Sequence, residues 1–151
     1  MPHDETAGFI EAFALELNQA GMQRMAARVF AALLVAPEGG SSARDLSETL
    51  GVSPAAVSGA TSYLTRTQLA ARRRVPGERV DRYDVDGTTW AEAMATETQT
   101  IESLARLLDV GLTAVAPGGA AHERLDSTRD FFLYMAQEMP LLVERWKESR
   151  G

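Results

Sequence analysis

Residues 42–85 read SARDLSETLGVSPAAVSGATSYLTRTQLAARRRVPGERVDRYDV, and their order of caps, apolar positions and turns decides the fold. Ser42 is a good helix N-cap, and Asp45 three residues on completes a short form of the capping box. Leu46 and Leu50 then share one helical face. Gly51 stops the helix, since glycine takes the left-handed position after a helix without steric cost. Val52 is the apolar plug of a tight turn. Ser53 caps a second helix and Pro54 occupies its first position, where a missing N–H is no loss. On that helix Val57, Ala60 or Thr61, and Leu64 recur at helical spacing and should face inward. The outward face is then Ala55, Ala56, Ser58, Gly59 and Ser62, with Tyr63 and Arg66 toward its end. It is small and polar, as a helix must be if its backbone is to approach base edges in a major groove.

A basic hairpin follows. Residues 69–75 read as a strand carrying Arg72, Arg73 and Arg74, Pro76-Gly77 is a turn dipeptide, and Val80, Tyr83 and Val85 belong to the return strand. Arg79 and Arg82 lie beyond the turn. Residues 53–83 hold six arginines against Glu78 and Asp81, whereas residues 84–151 hold twelve carboxylates against six basic side chains. The positive charge is thus gathered where a hairpin could meet phosphates, on a chain whose net charge is −6. Helix, turn, helix and hairpin make a winged helix-turn-helix. Its candidate contacts to double-stranded DNA are Ser53, Ala55, Ala56, Ser58, Gly59, Ser62, Tyr63, Arg66, Arg72, Arg74, Arg79 and Arg82.

Around this segment the chain reads as helix. Residues 1–6 are expected to fray, and residues 7–21 form a helix with Phe9, Phe13 and Leu17 four apart and Ile10 beside them. Residues 23–36 form a second, with Met25 or Ala26, Val29, Phe30, Leu33 and Leu34 buried. A long helix starts at Thr88 or Thr89 and runs to about Val115, with Ile101, Leu104, Leu108 and Leu112 in one stripe. The last segment starts near Ala121, and Pro140 is expected to break or kink it. The fold class is mainly α with a small β-wing. Residues 22–87 are the expected DNA-binding domain, and residues 7–21 and 88–149 a helical dimerisation region. The outer helices carry more apolar surface than one subunit can cover, so the expected partner is a second copy.

Composition removes several classes. At 151 residues, 45% of them hydrophobic, the chain can bury a real core. It has no cysteine, which excludes disulfides and thiol switches and suits a cytoplasmic setting. No apolar run is long enough for a membrane span. Asp4 and Glu5 are unlike the basic start of a signal peptide. His3 and His122 are the only histidines, a poor basis for a metal site. No nucleophile–base pair and no phosphate-binding glycine loop is present, so neither an enzyme nor a cofactor is expected.

The run GMQRMAARVFAALLVAPEGGSSARDLSETLGVSPAAVSGATSYLTRTQLAARRRVPGERVDRYDV resembles the winged-helix core of the MarR family of bacterial transcriptional regulators. It is similar in particular to the branch with a PRMAARV…SPAAVSGA…YL pattern, from which it departs at Gln23, where that branch has proline or a similar residue. The resemblance implies N- and C-terminal helices interlocked in a homodimer, a palindromic operator, repression, and a nucleoid-associated protein. It also implies relief by a small apolar effector held between dimerisation helices and winged domain, for which Phe9, Phe13, Met22, Trp90, Met94, Phe131 and Met135 are the candidate lining residues. The competing expectation is a winged-helix interaction module without specific DNA binding, its arginines docking an acidic partner.

Overall fold

A computed structural model describes residues 2–151, the side chain of Pro2 excepted. Its elements are α1 (Pro2–Gln19), α2 (Arg24–Leu34), β1 (Ser41–Ser42), α3 (Ala43–Leu50), α4 (Pro54–Arg66), β2 (Ala71–Arg74), β3 (Asp81–Asp84), α5 (Thr89–Ala114) and α6 (Ala120–Arg150). The fold is a winged helix-turn-helix, helical with one small antiparallel sheet among the described residues. The chain divides into two compact units, Met1–Trp90 and Ala91–Gly151.

In the first unit α2 is the central helix. Ala26, Ala27, Val29, Phe30, Ala31, Ala32 and Leu33 are all buried in it. The side chains of Val29, Leu46, Val57 and Leu64 are the largest that are wholly enclosed. Each contributes on the order of 1.5–3 kcal/mol by leaving water. All four are the inward positions that helical spacing predicts. Leu34 is predicted inward too, but it is the last residue of α2 and stands exposed, as does Val35 after it. On α1 the buried positions are Ile10 and Ala14, with Phe13 half-buried and Phe9 exposed, so the inward face is turned away from the expected Phe9 stripe. The expected fraying falls partly on Met1, which lies outside the described residues; from Pro2 onward the chain is helical.

The sheet has the order β1-β3-β2. Ser41 pairs with Tyr83 and Ser42 with Arg82, while β2 pairs with β3 from Ala71 opposite Asp84 to Arg74 opposite Asp81. The two-residue strand β1 lies in a stretch whose sequence reads only as a loop and a cap. It forms because Gly40, at φ +78°, passes so close to β3 that a Cβ there would fall 2.2 Å from the Tyr83 carbonyl oxygen. The wing's first strand starts later than expected, at Ala71. The amides of Leu69 and Ala70 instead donate back to the Leu64 carbonyl at 2.8 and 3.1 Å, closing α4, with Gln68 at φ +63° making the turn.

The second unit is an antiparallel pair, the remainder of α5 against α6. Arg129 Nη1 meets Asp109 Oδ1 at 2.7 Å, and Lys147 Nζ lies 3.7 Å from Glu92 Oε1. Ala93, Thr98, Ala105, Ala136 and Val143 are its buried positions. Pro140 does not end or divide α6, which is helical from Ala120 to Arg150. A proline removes one backbone donor and crowds the carbonyl four residues earlier, in this helix that of Ala136; a helix of 31 residues retains enough other bonds to continue past it.

Candidate nucleic-acid interface

The helix-turn-helix is built on its caps. Ser42 Oγ accepts from the Asp45 amide at 3.1 Å and Asp45 Oδ2 accepts from the Ser42 amide at 3.0 Å, a full capping box. The Ser42 amide holds the Asp45 carboxyl below the usual carboxylate range against the opposing effect of burial, with help from the Ser42 hydroxyl and from Arg82 and Arg44. At the other end of α3, Gly51 takes the left-handed cap at φ 65°, and its amide and that of Val52 both donate to the Ser47 carbonyl. The Ser47 hydroxyl donates to the Val52 carbonyl. Ser53 Oγ then accepts from the Ala56 amide at 3.2 Å and Pro54 opens α4.

α4 buries Val57, Ala60, Thr61 and Leu64. The Thr61 hydroxyl donates back to the Val57 and Ser58 carbonyls, which lets a polar residue sit on the buried face. Ser53, Ala55, Ser58, Gly59, Ser62 and Arg66 are exposed, while Ala56 and Tyr63 are half-buried. The Arg66 guanidinium lies 5.9 Å from the Tyr63 ring centroid. A Cβ added at Gly59 would meet nothing within 4 Å, so the α4 surface there is flat and open.

The wing distributes its arginines unequally. Asp81 receives Arg74 at 3.0 Å and Arg72 at 3.9 Å, and the Arg72 guanidinium lies 5.8 Å from the Tyr83 ring centroid. Arg73 pairs with Asp84 on the other face of the hairpin. Arg82 donates to Glu78 through Nε and Nη2 at 2.9 and 3.3 Å, reaches the Gly40 carbonyl at 3.5 Å, and lies 3.7 Å from Asp45. Its hydrogen bonds to Glu78, with the charges of Glu78 and Asp45, raise its already high pKa. Arg82 therefore joins the wing to the cap of α3, a role that no local sequence pattern marks, because its partners are set by tertiary approach. Arg79 is exposed near the tip and makes no ion pair among the described residues. A groove of about 470 Å³ between the start of α3 and the hairpin is lined by Arg44, Arg74, Arg79, Ser42 and Tyr83.

The aromatic and methionine residues expected to line an effector site belong to both units. Phe9 stacks on Phe13 at 5.4 Å and Trp90 lies against Phe30 at 5.5 Å, both in the first unit, where Met22 is half-buried. Met94, Phe131 and Met135 belong to the second unit, the first two of them exposed. The cleft between α1 and α2, the wing groove and a groove along the start of α6 are all lined by other side chains. Among the described residues no group of His, Asp and Glu could hold a metal ion, and no helix is long and apolar enough to cross a membrane.

Comparison with known proteins agrees with this geometry. Residues 20–79, from before α2 to the turn of the wing, match a model of the MarR family, and residues 88–149, covering α5 and all but the last residue of α6, match one described as MmpR5-like MarR family transcriptional regulator. No curated protein matches the chain. A crystal structure described as that of a transcriptional regulator superposes with a TM-score of 0.85 at 23% identity, over 95% of this chain and 99% of the other, which shows the shared fold. Two MarR models matching successive parts of the sequence, on a winged helix-turn-helix with long flanking helices, show that this chain belongs to the MarR family, a DNA-binding transcriptional regulator.

Proposed function

We propose that the protein is a homodimeric, ligand-responsive repressor that acts in the bacterial cytoplasm on a palindromic operator. Residues 22–87 bind the DNA, and residues 7–21 and 88–149 form the dimer. Each subunit lays α4 in a major groove, with Ser58 and Ser62 toward base edges and Ala55, Ala56 and Gly59 allowing close approach. Ser53, Tyr63 and Arg66 flank that contact. Arg79 at the wing tip reaches the adjacent minor groove or backbone, with Arg72, Arg74 and Arg82 behind it. The observation that carries this reading is the exposed face of α4, small and polar along its length and set directly after a fully capped turn. Dimerisation is supported by apolar side chains exposed on the long helices, including Leu104, Leu107 and Val110 on α5 and Phe131, Tyr134 and Leu142 on α6. Two copies would present two α4 helices to two half-sites. The effector would be apolar, and it would act by binding the DNA-free arrangement better than the DNA-bound one.

The test is a titration of variants on operator DNA, recovered by sequencing cross-linked fragments, and on a scrambled duplex at three salt concentrations. Arg79→Ala should weaken both duplexes nearly alike and lower the salt slope by about one for a lost phosphate contact. Ser58→Ala should cost about 1 kcal/mol on the operator and much less on the scrambled duplex. Asp81→Ala, which frees Arg72 and Arg74 from their present orientation, should act in the direction of Arg79→Ala but more weakly. If Arg79→Ala relaxes sequence preference while Ser58→Ala leaves it untouched, the roles of wing and helix are reversed. Absence of any retention at low salt would favour the interaction module.

A further inference from the structure

We propose that Arg28 is a positioning residue that ties α1 to the carbonyl end of α3 and so sets the turn from which α4 begins. Arg28 sits on α2 with its side chain only 16% exposed. Its Nε and Nη2 both donate to Glu11 Oε1 of α1, at 3.0 and 2.7 Å. The same Nη2 donates to the Leu50 carbonyl at 3.1 Å. These partners are 17 and 22 residues away in sequence.

An ion pair with Glu11 alone would contribute little, because that carboxylate is half in solvent. The second contact changes its meaning. Leu50 is the last residue of α3, and its carbonyl is among those that a helix leaves without an internal donor. The amide that would serve it in a continuing helix is missing, since the residue four positions on is Pro54, which has no N–H. A guanidinium from another helix takes the place, and it also puts a cation at the negative end of α3. Ser53, which caps α4, comes three residues later. Glu11 fixes the guanidinium by two bonds, leaving it one orientation. A displacement of α1 therefore reaches the turn through one side chain, without passing through the apolar core. The consequence for DNA rests on α4 being the reading helix, as proposed above.

The experiment compares Arg28→Met, Arg28→Lys, Glu11→Gln and the Arg28→Met/Glu11→Gln double variant in the full chain. Amide hydrogen exchange is read first, without DNA. In Arg28→Met the Val52 amide should exchange about tenfold faster, the factor that one lost charged hydrogen bond represents. Glu11→Gln, on a different helix, should accelerate the same amide by about threefold, and the double variant should not exceed Arg28→Met alone. Arg28→Lys keeps the charge but not the fork, and should fall between wild type and Arg28→Met. An unchanged Val52 amide in Glu11→Gln, or equal acceleration of every amide in α1–α4, overturns the tie. If Arg28→Met fails to fold, Glu11→Gln and Arg28→Lys carry the same comparison. On DNA, Arg28→Met should lower the operator-to-scrambled affinity ratio several-fold with an unchanged salt slope, since no phosphate contact is lost. A turn that loosens with the ratio intact overturns the reading of α4 and leaves the tie standing.

Discussion

Replacing Gly40 by alanine tests how the wing is attached. Gly40 and Gly39 both have positive φ, +78° and +93°. A Cβ at Gly39 meets nothing within 4 Å, so Gly39→Ala should cost only the left-handed backbone, about 1 kcal/mol. At Gly40 the same methyl would stand 2.2 Å from the Tyr83 carbonyl oxygen and 2.9 Å from Asp84 Cβ. Backbone and a strand residue cannot yield as a long side chain would, so β1 must move away from β3. Only two residue pairs hold β1 there, Ser41 with Tyr83 and Ser42 with Arg82. The Arg82 contact to the Gly40 carbonyl would go with them. Overpacking of this kind costs about 1–3 kcal/mol, so Gly40→Ala should total roughly 3 kcal/mol, some 2 kcal/mol beyond Gly39→Ala. For a chain of this size each kcal/mol moves the melting temperature by about 2–4 °C, so the two variants should melt about 4–8 °C apart. Parallel thermal and urea melts followed by circular dichroism make the comparison. Gly40→Ala should also weaken DNA binding more than Gly39→Ala, because the wing loses its hold on the cap of α3. Equal melting of the two variants would refute the close approach of Gly40 to β3 as the reason β1 forms.

Other perturbations give signed outcomes. The Thr98 hydroxyl is buried with no hydrogen-bond partner among the described residues, so Thr98→Val should leave stability unchanged or raise it by about 1 kcal/mol, and a loss of that size would reveal a partner. Asp45 and Asp86 both have lowered pKa values, Asp45 chiefly from the Ser42 amide and Asp86 chiefly from the Thr88 hydroxyl. Carboxyls depressed in the folded state contribute stability that is full above their unfolded pKa, about 3.9, and lost as pH falls through their folded values. Acid titration below about pH 4 should therefore lower the melting temperature, and Asp45→Asn should flatten that dependence; a dependence steeper in the variant would contradict the sign. Leu107→Glu on the exposed face of α5 should shift light scattering at micromolar concentration from dimer toward monomer, and a wild-type monomer would remove the dimer proposal.

Local chemistry made the helix-turn-helix legible. Ser42, Asp45, Gly51, Ser53 and Pro54 act within three or four residues of themselves, and Val57, Ala60, Thr61 and Leu64 obey the helical period, so both caps and the buried face of α4 could be read from residue order. Five arginines in and around one turn likewise announced a basic hairpin. Tertiary structure decided what distant segments bring together. β1 is too short to have a periodicity and exists only because β3 passes Gly40. The arginines of the wing look equivalent in sequence, yet the approach of Asp45, Glu78, Asp81 and Asp84 commits Arg72, Arg73, Arg74 and Arg82 to ion pairs and leaves Arg79 without one among the described residues. Pro140 misleads because the one backbone bond a proline removes is a small part of the bonding of a 31-residue helix. In residue order Arg28 is only an arginine one turn from Arg24. Its bonds to Glu11 and to the Leu50 carbonyl span three helices. Capping and helical period are short-range and reside in the order of residues, whereas the partners of a charge or a carbonyl depend on which backbones the packed core brings within about 3 Å, and that is decided only when the chain is folded.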